Sequence, residues 1–416
     1  MYRTPHRPEL LIVDDDDLVL RALGRLLRPY RDAWTIHLAR NGADALAMIE
    51  RTSPHVVVSD LDMPVLDGAT LLSRLRKDRP DVVRIGITGD DTLTSTRRIF
   101  TSAHQLIAKP FMGKDFLSKL ERAFALSTTL QSEALRRMVA RDNQLPTPPG
   151  AYMRLSALLT QEDADIADVA NLVQESPALV ARLMQLTSSA FFGRTRPASN
   201  VAEAVMSIGL GQMRALVLHH AIVQMFETQV RGYSLEASQR RGLVAATLAR
   251  QLVTDASLAD AAYIAAIVHQ VGQLVLASRS PKILEHCIKY AMEHHLTPAE
   301  AQHRVLGVTD ADVGAYLLGI WGLPQVVVES VALQHRPERI DERQVGVKTA
   351  VYLAAKLSAN PDVVARAPVK DFEAAIDLTL LGAAGAAERL DEMRSLARTL
   401  VGPSHPASQA PRRAAG

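Results

Sequence analysis

The chain has 416 residues, with Lys+Arg 47 against Asp+Glu 45 and a single cysteine, Cys287. That length exceeds one ordinary core, so two or three domains are expected, and the balanced charge speaks against a protein that coats nucleic acid or carries an acidic tail. Aromatic residues make up only 4%, which leaves few rings to stack unpaired bases. A lone cysteine forms no intrachain disulfide and suits a reducing cytoplasm. The first eight residues lead into a strand instead of an apolar signal core, and charges or amides interrupt each stretch of membrane-span length. The expectation is a soluble, cytoplasmic, multidomain protein that uses neither nucleic acid nor membrane.

Leu10-Leu11-Ile12-Val13 reads as a short apolar strand that runs straight into Asp14-Asp15-Asp16-Asp17. Leu18, Leu20, Leu23, Leu26 and Leu27 form the apolar stripe of a helix. Thr35–Leu38 is a second strand, and Asn41-Gly42 opens a helix through Ala45, Leu46 and Ile49. Val56-Val57-Val58-Ser59-Asp60 begins with the β-branched run of a strand buried on both faces. It ends abruptly at a carboxylate, and the turn formers Pro64 and Asp67-Gly68 follow. Leu71, Leu72 and Leu75 mark the next helix; Val83–Ile87 ends at Thr88-Gly89, and Gln105–Ala108 ends at Lys109-Pro110-Phe111. Five β-α repeats predict a doubly wound α/β domain, a five-stranded parallel sheet with helices on both faces.

The polar residues fall in a pattern. Asp14 and Asp15, Asp60, Thr88 and Lys109 each sit at the carboxyl end of a strand, where open parallel sheets place their chemistry. One strand alone leaves open that Asp60 merely caps the next helix; the convergence of four strand ends argues otherwise. Carboxylates gathered in one crevice repel one another unless a cation joins them. Hard oxygen ligands with open positions suit Mg²⁺, and a hydroxyl with an ammonium facing the same spot suits a phosphoryl group on Asp60.

These motifs, in this order, resemble a response-regulator receiver domain over residues 9–126. The resemblance implies that Asp60 accepts phosphate from a sensor histidine kinase or phosphotransfer protein. It implies that Asp14, Asp15, Asp60 and the backbone carbonyl of Asp62 hold Mg²⁺, while Thr88 and Lys109 bind the phosphoryl oxygens. Asp16 and Asp17 are expected to begin the first helix, at its positive dipole end. Many receivers carry Tyr or Phe three residues before the lysine as a switch partner of the threonine. Here that position is Leu106, so the relay is expected to run through the loop after Thr88 instead.

The rest of the chain shows no strand. Gly113 to about Asn143 reads as one long helix, with 127–144 as a helical linker broken by Leu145-Pro146-Thr147-Pro148-Pro149-Gly150. Ser176-Pro177 caps a helix expected to run to Gly193, and Thr297-Pro298-Ala299-Glu300 is a capping box closed by Gly307. Ile208-Gly209-Leu210-Gly211 lacks a third glycine and follows a helix, so it reads as a helix–helix turn. Met206, Met213 and Met225 read as helix core. The adjacent pairs His219-His220 and His294-His295 diverge by about 100° on a helix and are poorly placed to share an ion. Val345–Ser358 and Asp371–Leu400 are further helices, forming an extension over 341–402 that packs on the helical domain, and 403–416 is a tail.

Residues 145–340 resemble the HDOD domain, an all-α relative of the HD phosphohydrolases. The carrying blocks are Leu145-Pro146 with Pro148, Ser176-Pro177-Ala178-Leu179 through Ser189-Ala190-Phe191-Phe192-Gly193, and Ala204 with Ile208-Gly209-Leu210. Two more are Ile267 through Leu274 and Trp321-Gly322-Leu323-Pro324 with His335. Catalytic HD proteins need a histidine, a His-Asp pair and a distant aspartate. The matching positions here are Arg241, His269-Gln270 and Asp310, and His335 follows Gln334 in place of a second histidine. A neutral amide and a cation at ligand positions imply a domain with no catalytic residues. The expectation is a non-enzymatic response regulator that signals through protein–protein contact with an unknown downstream protein, with a homodimer left open. The alternatives weighed are a retained phosphodiesterase acting on a nucleotide second messenger and, lower, DNA binding.

Overall fold

The computed structural model describes residues 7–79, 82–89, 102–129, 148–159, 165–187, 198, 200–226, 234–253, 255–358 and 390–401. The first part is an alternation of strand and helix. It runs β1 (Glu9–Val13), α1 (Asp17–Leu26), β2 (Thr35–Ala39), α2 (Gly42–Thr52), β3 (Val56–Asp60), α3 (Gly68–Asp78), β4 (Val83–Thr88), β5 (Gln105–Ala108) and α4 (Gly113–Thr129). The strands form one sheet in the order β2-β1-β3-β4-β5, and every pairing is parallel.

The two-residue period of a strand sorts the apolar side chains between two cores. Leu10 and Ile12 of β1 and Val56 and Val58 of β3 join Leu20, Leu23, Phe116 and Leu120 on one face. Leu11, Val13 and Val57 join Ala45, Ile49, Leu71 and Leu75 on the other. All of β3 is buried, which explains its unbroken valine run. Each fully buried valine or leucine contributes about 1.5–3 kcal/mol.

Caps set where the helices start. Asp16 accepts from the Leu18 amide ahead of α1, as expected for this acidic stretch. Asn41 caps α2 and Asp67 caps α3 at 2.7 Å from the Thr70 amide. Gly68 lies so close to β3 that a Cβ would meet the Asp60 carbonyl oxygen at 1.9 Å, so only glycine lets the β3–α3 loop fold back over the strand end.

The second part holds helices and no strand among its described residues. It comprises α5 (Gly150–Leu158), α6 (Ile166–Gln174), α7 (Pro177–Thr187), α8 (Val201–Ile208), α9 (Leu210–Met225), α10 (Leu235–Leu252), α11 (Ala256–Ile267), α12 (Val271–Arg279) and α13 (Pro281–Glu293). It continues with α14 (Pro298–Leu306), α15 (Asp310–Ile320), α16 (Gln325–Leu333), α17 (Val347–Leu357) and α18 (Leu390–Val401). Helices α10, α11 and α17 pack together at its centre; α12 packs on α15, α15 on α16, and α18 on α10. Helix α4 of the first part also packs on α15, and the apolar core runs on from one part to the other.

Several sequence expectations can be placed. Pro177 opens α7 behind Ser176, whose hydroxyl accepts from the Leu179 amide. The Thr297–Glu300 box is formed and Gly307 ends α14 in the left-handed region. Gly209, at φ +86, turns α8 into α9 as a helix–helix corner. The expected Val345–Ser358 helix is α17. Met213 is buried but Met206 is 58% exposed, because Ala204, Val205 and Ile208 already take the inward face of α8; Met206 is not core. His294 caps α13 and His295 lies beyond it at φ +53, so that pair does not sit within the helix. The linker beyond Thr129, residues 188–193, the loop after Gly89, the 371–389 part of the C-terminal helix and the tail lie outside the described residues. One stretch, Ala256–Arg279, is long and apolar enough to cross a membrane by length and composition; 78% of its apolar window is buried in the helical core.

Candidate functional site

The carboxyl ends of the strands bring the predicted residues to one edge. Asp60 ends β3, Asp14 follows β1, Thr88 ends β4 and Lys109 follows β5; Asp14, Asp60 and Thr88 are all buried. The Lys109 ammonium lies 3.1 Å from Asp60 Oδ1 and 3.3 Å from Asp14 Oδ2. The other Asp14 oxygen accepts from the Asp16 amide at 2.9 Å, which orients the carboxylate. The Lys109 amide donates to the Thr88 carbonyl at 2.7 Å and fixes the lysine's root beside β4.

Carboxylate oxygens of Asp14, Asp15 and Asp60 all lie within 4.8 Å of one another. Three carboxylates against one ammonium leave two negative charges over, which is the charge of one divalent cation. The donors are hard oxygens at a crevice mouth, where Asp15 is exposed, so the set fits Mg²⁺ with room for water or phosphate oxygens. Asp62 lies at the rim, exposed, two residues past Asp60.

Burial pushes the Asp60 carboxyl above the usual carboxylate range, opposed by the Lys109 hydrogen bond and charge and helped by repulsion from Asp14. Burial also pulls Lys109 down, but its Asp60 hydrogen bond and the charges of Asp60 and Asp14 outweigh this and leave it raised.

Two predicted switch residues are placed differently from the acidic set. The Thr88 hydroxyl donates to the Gly89 carbonyl at 3.0 Å, so it faces its own loop. Leu106 is half-buried and lies over Gly86, where a Cβ would come within 2.8 Å of Leu106 Cδ2. Its carbonyl accepts from Lys119 of α4 at 2.8 Å. Around the crevice stand three exposed apolar side chains: Leu18 at the start of α1, Val65 in the β3–α3 loop and Met112 before α4, at 70%, 90% and 71% exposure.

A second polar cluster lies inside the helical part. His269 follows α11 and is 1% exposed; Nδ1 faces the Ala266 carbonyl, and Nε2 has no hydrogen-bond partner among the described residues. Its pKa falls to about 3, first through burial and then through the nearby Arg241 cation. Asp310, at the start of α15, pairs with His335 Nε2 at 3.2 Å. Burial raises the Asp310 carboxyl, but His335, Arg241 and His269 outweigh it and hold it low.

Arg241 of α10 donates to the Ala355 carbonyl of α17 at 2.8 Å. With the Gln270 amide turned so that its nitrogen meets Ser238, the amide oxygen accepts from Arg241 Nη1 at 3.3 Å. The Gln334 amide donates to the His269 carbonyl at 2.8 Å. The Arg241 guanidinium thus lies among an amide, a carbonyl and the field of Asp310.

The structure brings Arg241, His269, Gln270 and Asp310 into one neighbourhood. The Asp310–His335 pair, the Arg241–Ala355 bond and the Thr309–Asp312 capping box were not read from the sequence. Of these, only the box had a local signal, Thr309 followed three residues later by an acid. His219 and His220 both line a cavity of about 180 Å³ with Gln224, Gln239 and Leu183, and a second, smaller cavity that shares His219 and Gln239 is lined by Gln270. The first is smaller than the roughly 300 Å³ at which small-molecule sites begin.

Residues 10–121 match the response regulator receiver domain family, and residues 145–337 match the HDOD domain family. Response regulator MprA of Mycobacterium ulcerans is 31% identical over 132 residues, covering 32% of this chain and 56% of that protein. An uncharacterised protein of Treponema pallidum is 25% identical over 215 residues, 51% of this chain, and the match spans 42% of its length. The crystal structure of an HDOD domain protein from Geobacter sulfurreducens superposes with a TM-score of 0.51 at 21% identity, over 68% of this chain and 99% of that one, a likeness of fold. With the strand-end crevice and the helical part both on view, the chain is a response regulator in architecture: a receiver domain followed by an HDOD domain.

Proposed function

We propose that this protein is a phosphorylation-controlled signalling protein whose Asp60 accepts a phosphoryl group from a sensor histidine kinase or phosphotransfer protein. The observation that carries this reading is the Lys109 ammonium, 3.1 Å from Asp60 Oδ1, inside the Asp14–Asp15–Asp60 cluster. In the transfer, Asp60 Oδ attacks phosphorus, the P–N bond of the donor phosphohistidine breaks, and an acyl phosphate forms with the imidazole nitrogen leaving. Asp14, Asp15, Asp60 and the Asp62 carbonyl would hold Mg²⁺, which neutralises the phosphoryl charge as it approaches. Lys109 supplies a fixed positive charge to the same oxygens. Thr88 turns from the Gly89 carbonyl to donate to a phosphoryl oxygen. Leu18, Val65 and Met112 give the phosphodonor an apolar rim to dock on.

The HDOD domain acts as an output by contact, without chemistry of its own. Arg241 places a cation where a catalytic HD site needs a metal ligand, and Gln270 withdraws the bridging carboxylate. Among the described residues, the only trio of carboxylates, imidazoles or thiols close enough to share an ion is the receiver's. The test has two arms. Intact-mass analysis after treatment with a small-molecule phosphodonor and Mg²⁺ is expected to show one phosphoryl adduct that maps to Asp60. Elemental analysis of the purified protein is expected to find no stoichiometric Mn, Fe or Zn; a full equivalent held by the HDOD domain would contradict the second half of the reading.

A further inference from the structure

The receiver and HDOD domains touch through more than apolar surface. Gln105, the first residue of β5, is 3% exposed, and its side-chain amide reaches across to the other domain. Nε2 donates to the Ile320 carbonyl at 3.1 Å and lies 3.5 Å from the Gly319 carbonyl. The Ile320 carbonyl is among the last of α15, at the negative end of the helix dipole, while the Gly319 carbonyl already accepts from the Gly322 amide at 2.9 Å. A side chain from one domain thus caps a helix of the other.

The turn that follows is shaped for the same contact. Gly322 sits at φ +73, and a Cβ there would lie 2.7 Å from Gln105 Cδ and 2.8 Å from Cγ. Backbone conformation and space both demand glycine at this position. Yet the contact is incomplete: Gln105 Oε1 is buried with no hydrogen-bond partner among the described residues. A buried unsatisfied acceptor regains water when the surfaces part, so the dock is held by one amide and opposed by one oxygen.

We infer that Gln105 and the Gly319–Gly322 turn form a latch that holds the HDOD domain against the receiver, and that the state of Asp60 releases it. The release rests on the phosphoacceptor reading above. β5 is the connection, only four residues long. Gln105 opens it, and Lys109, which bridges Asp60 and Asp14, follows it directly. Between them the Leu106 carbonyl is tied to Lys119 of α4, the helix that packs on α15. When Lys109 exchanges Asp14 for a phosphoryl oxygen, the carboxyl end of β5 shifts, and Leu106 and Gln105 move with it. At its far end α15 bears Asp310, so releasing the latch frees the helix that carries the Asp310–His335 pair.

The test is an inter-domain distance measurement on the full chain. Spin labels go on Ser73→Cys in α3 and Lys289→Cys in α13, both exposed, in a Cys287→Ser background. The unphosphorylated protein is expected to give one narrow distance distribution. Gln105→Ala leaves the Ile320 carbonyl unpaired but also removes the unpaired oxygen, and is expected to raise the separated population about threefold. Gly322→Ala is expected to do the same by steric exclusion, and Gln105→Ala leaves the HDOD turn itself intact should Gly322→Ala disturb it. Mg²⁺ with beryllofluoride is expected to separate the domains of the wild type and not of Asp60→Ala. Narrow distributions for both latch variants overturn the latch. An unchanged wild type under beryllofluoride, with phosphodonor labelling shown at Asp60, overturns its release. Absence of labelling at Asp60 overturns the phosphoacceptor reading instead, because the Gln105→Ala measurement needs no phosphorylation.

Discussion

The receiver and the HDOD domain each gather acids and bases at one buried spot, and they balance them in opposite ways. In the receiver, three carboxylates face one lysine at an open strand edge, and the excess negative charge asks for a cation from outside. In the HDOD domain, Asp310 is answered from within by His335 and Arg241, and the guanidinium is bound to a carbonyl and an amide. One site is poised to take up charge; the other is closed on itself. The difference teaches that charge balance, more than residue type, sets apart two polar clusters in the same chain.

The sharpest way to break this comparison is at Asp60. Asp60→Ala is expected to abolish phosphodonor labelling altogether, read by intact mass; persistent labelling on another residue would place the chemistry elsewhere. Next in size is the closed site. Arg241→Ala removes the bond to the Ala355 carbonyl and a cation near the buried Asp310, and is expected to cost about 2 kcal/mol in urea unfolding. A loss under 0.5 kcal/mol would mean that the guanidinium is a bystander.

The pH dependence of the same site follows from His269. Its native pKa, about 3, lies well below the ordinary value near 6.5. Between these values the unfolded chain binds a proton that the native one does not, so stability is complete above pH 6.5 and falls as the pH drops. The expected slope approaches 1.4 kcal/mol per pH unit, and comparing unfolding of the wild type with His269→Gln at pH 7 and 5.5 isolates it. Equal slopes in the two proteins would show that His269 is not held neutral.

The smallest effect sharpens the open site. The raised Asp60 carboxyl favours the native state only below the ordinary carboxylate pKa, and that stability is lost as pH rises through the raised value. In metal-free buffer at pH 7, Asp60→Asn is therefore expected to be more stable than the wild type, a gain that vanishes near pH 3. Mg²⁺ is expected to raise the wild-type melting temperature more than that of Asp60→Asn. A gain for Asp60→Asn that Mg²⁺ leaves untouched would remove the metal from the account.

Much of the receiver was legible because its signals are local. Four of its five strands stop at or just before a polar residue of the crevice, Asp14, Asp60, Thr88 or Lys109, and parallel topology then brings those ends together without further information. The HDOD domain was readable as helices through caps such as Ser176-Pro177 and Thr297–Glu300. What could not be read are contacts between residues distant in sequence, such as Arg241 with the Ala355 carbonyl or Gln105 with α15. A backbone carbonyl carries no sequence signal, so a side chain that docks on one cannot be matched to it beforehand. Met206 failed for a related reason: a methionine beside apolar neighbours looks like core until the neighbours are seen to fill the inward face.

The central claim is that the state of Asp60 reaches a helical domain that acts by contact. Hydrogen exchange of the full chain, with and without Mg²⁺ and beryllofluoride, tests it most directly. The account predicts altered protection within residues 310–357 of the wild type and none in Asp60→Ala. Identical exchange across the HDOD domain in both states, with the receiver itself responding, would mean that the signal stops at the first domain.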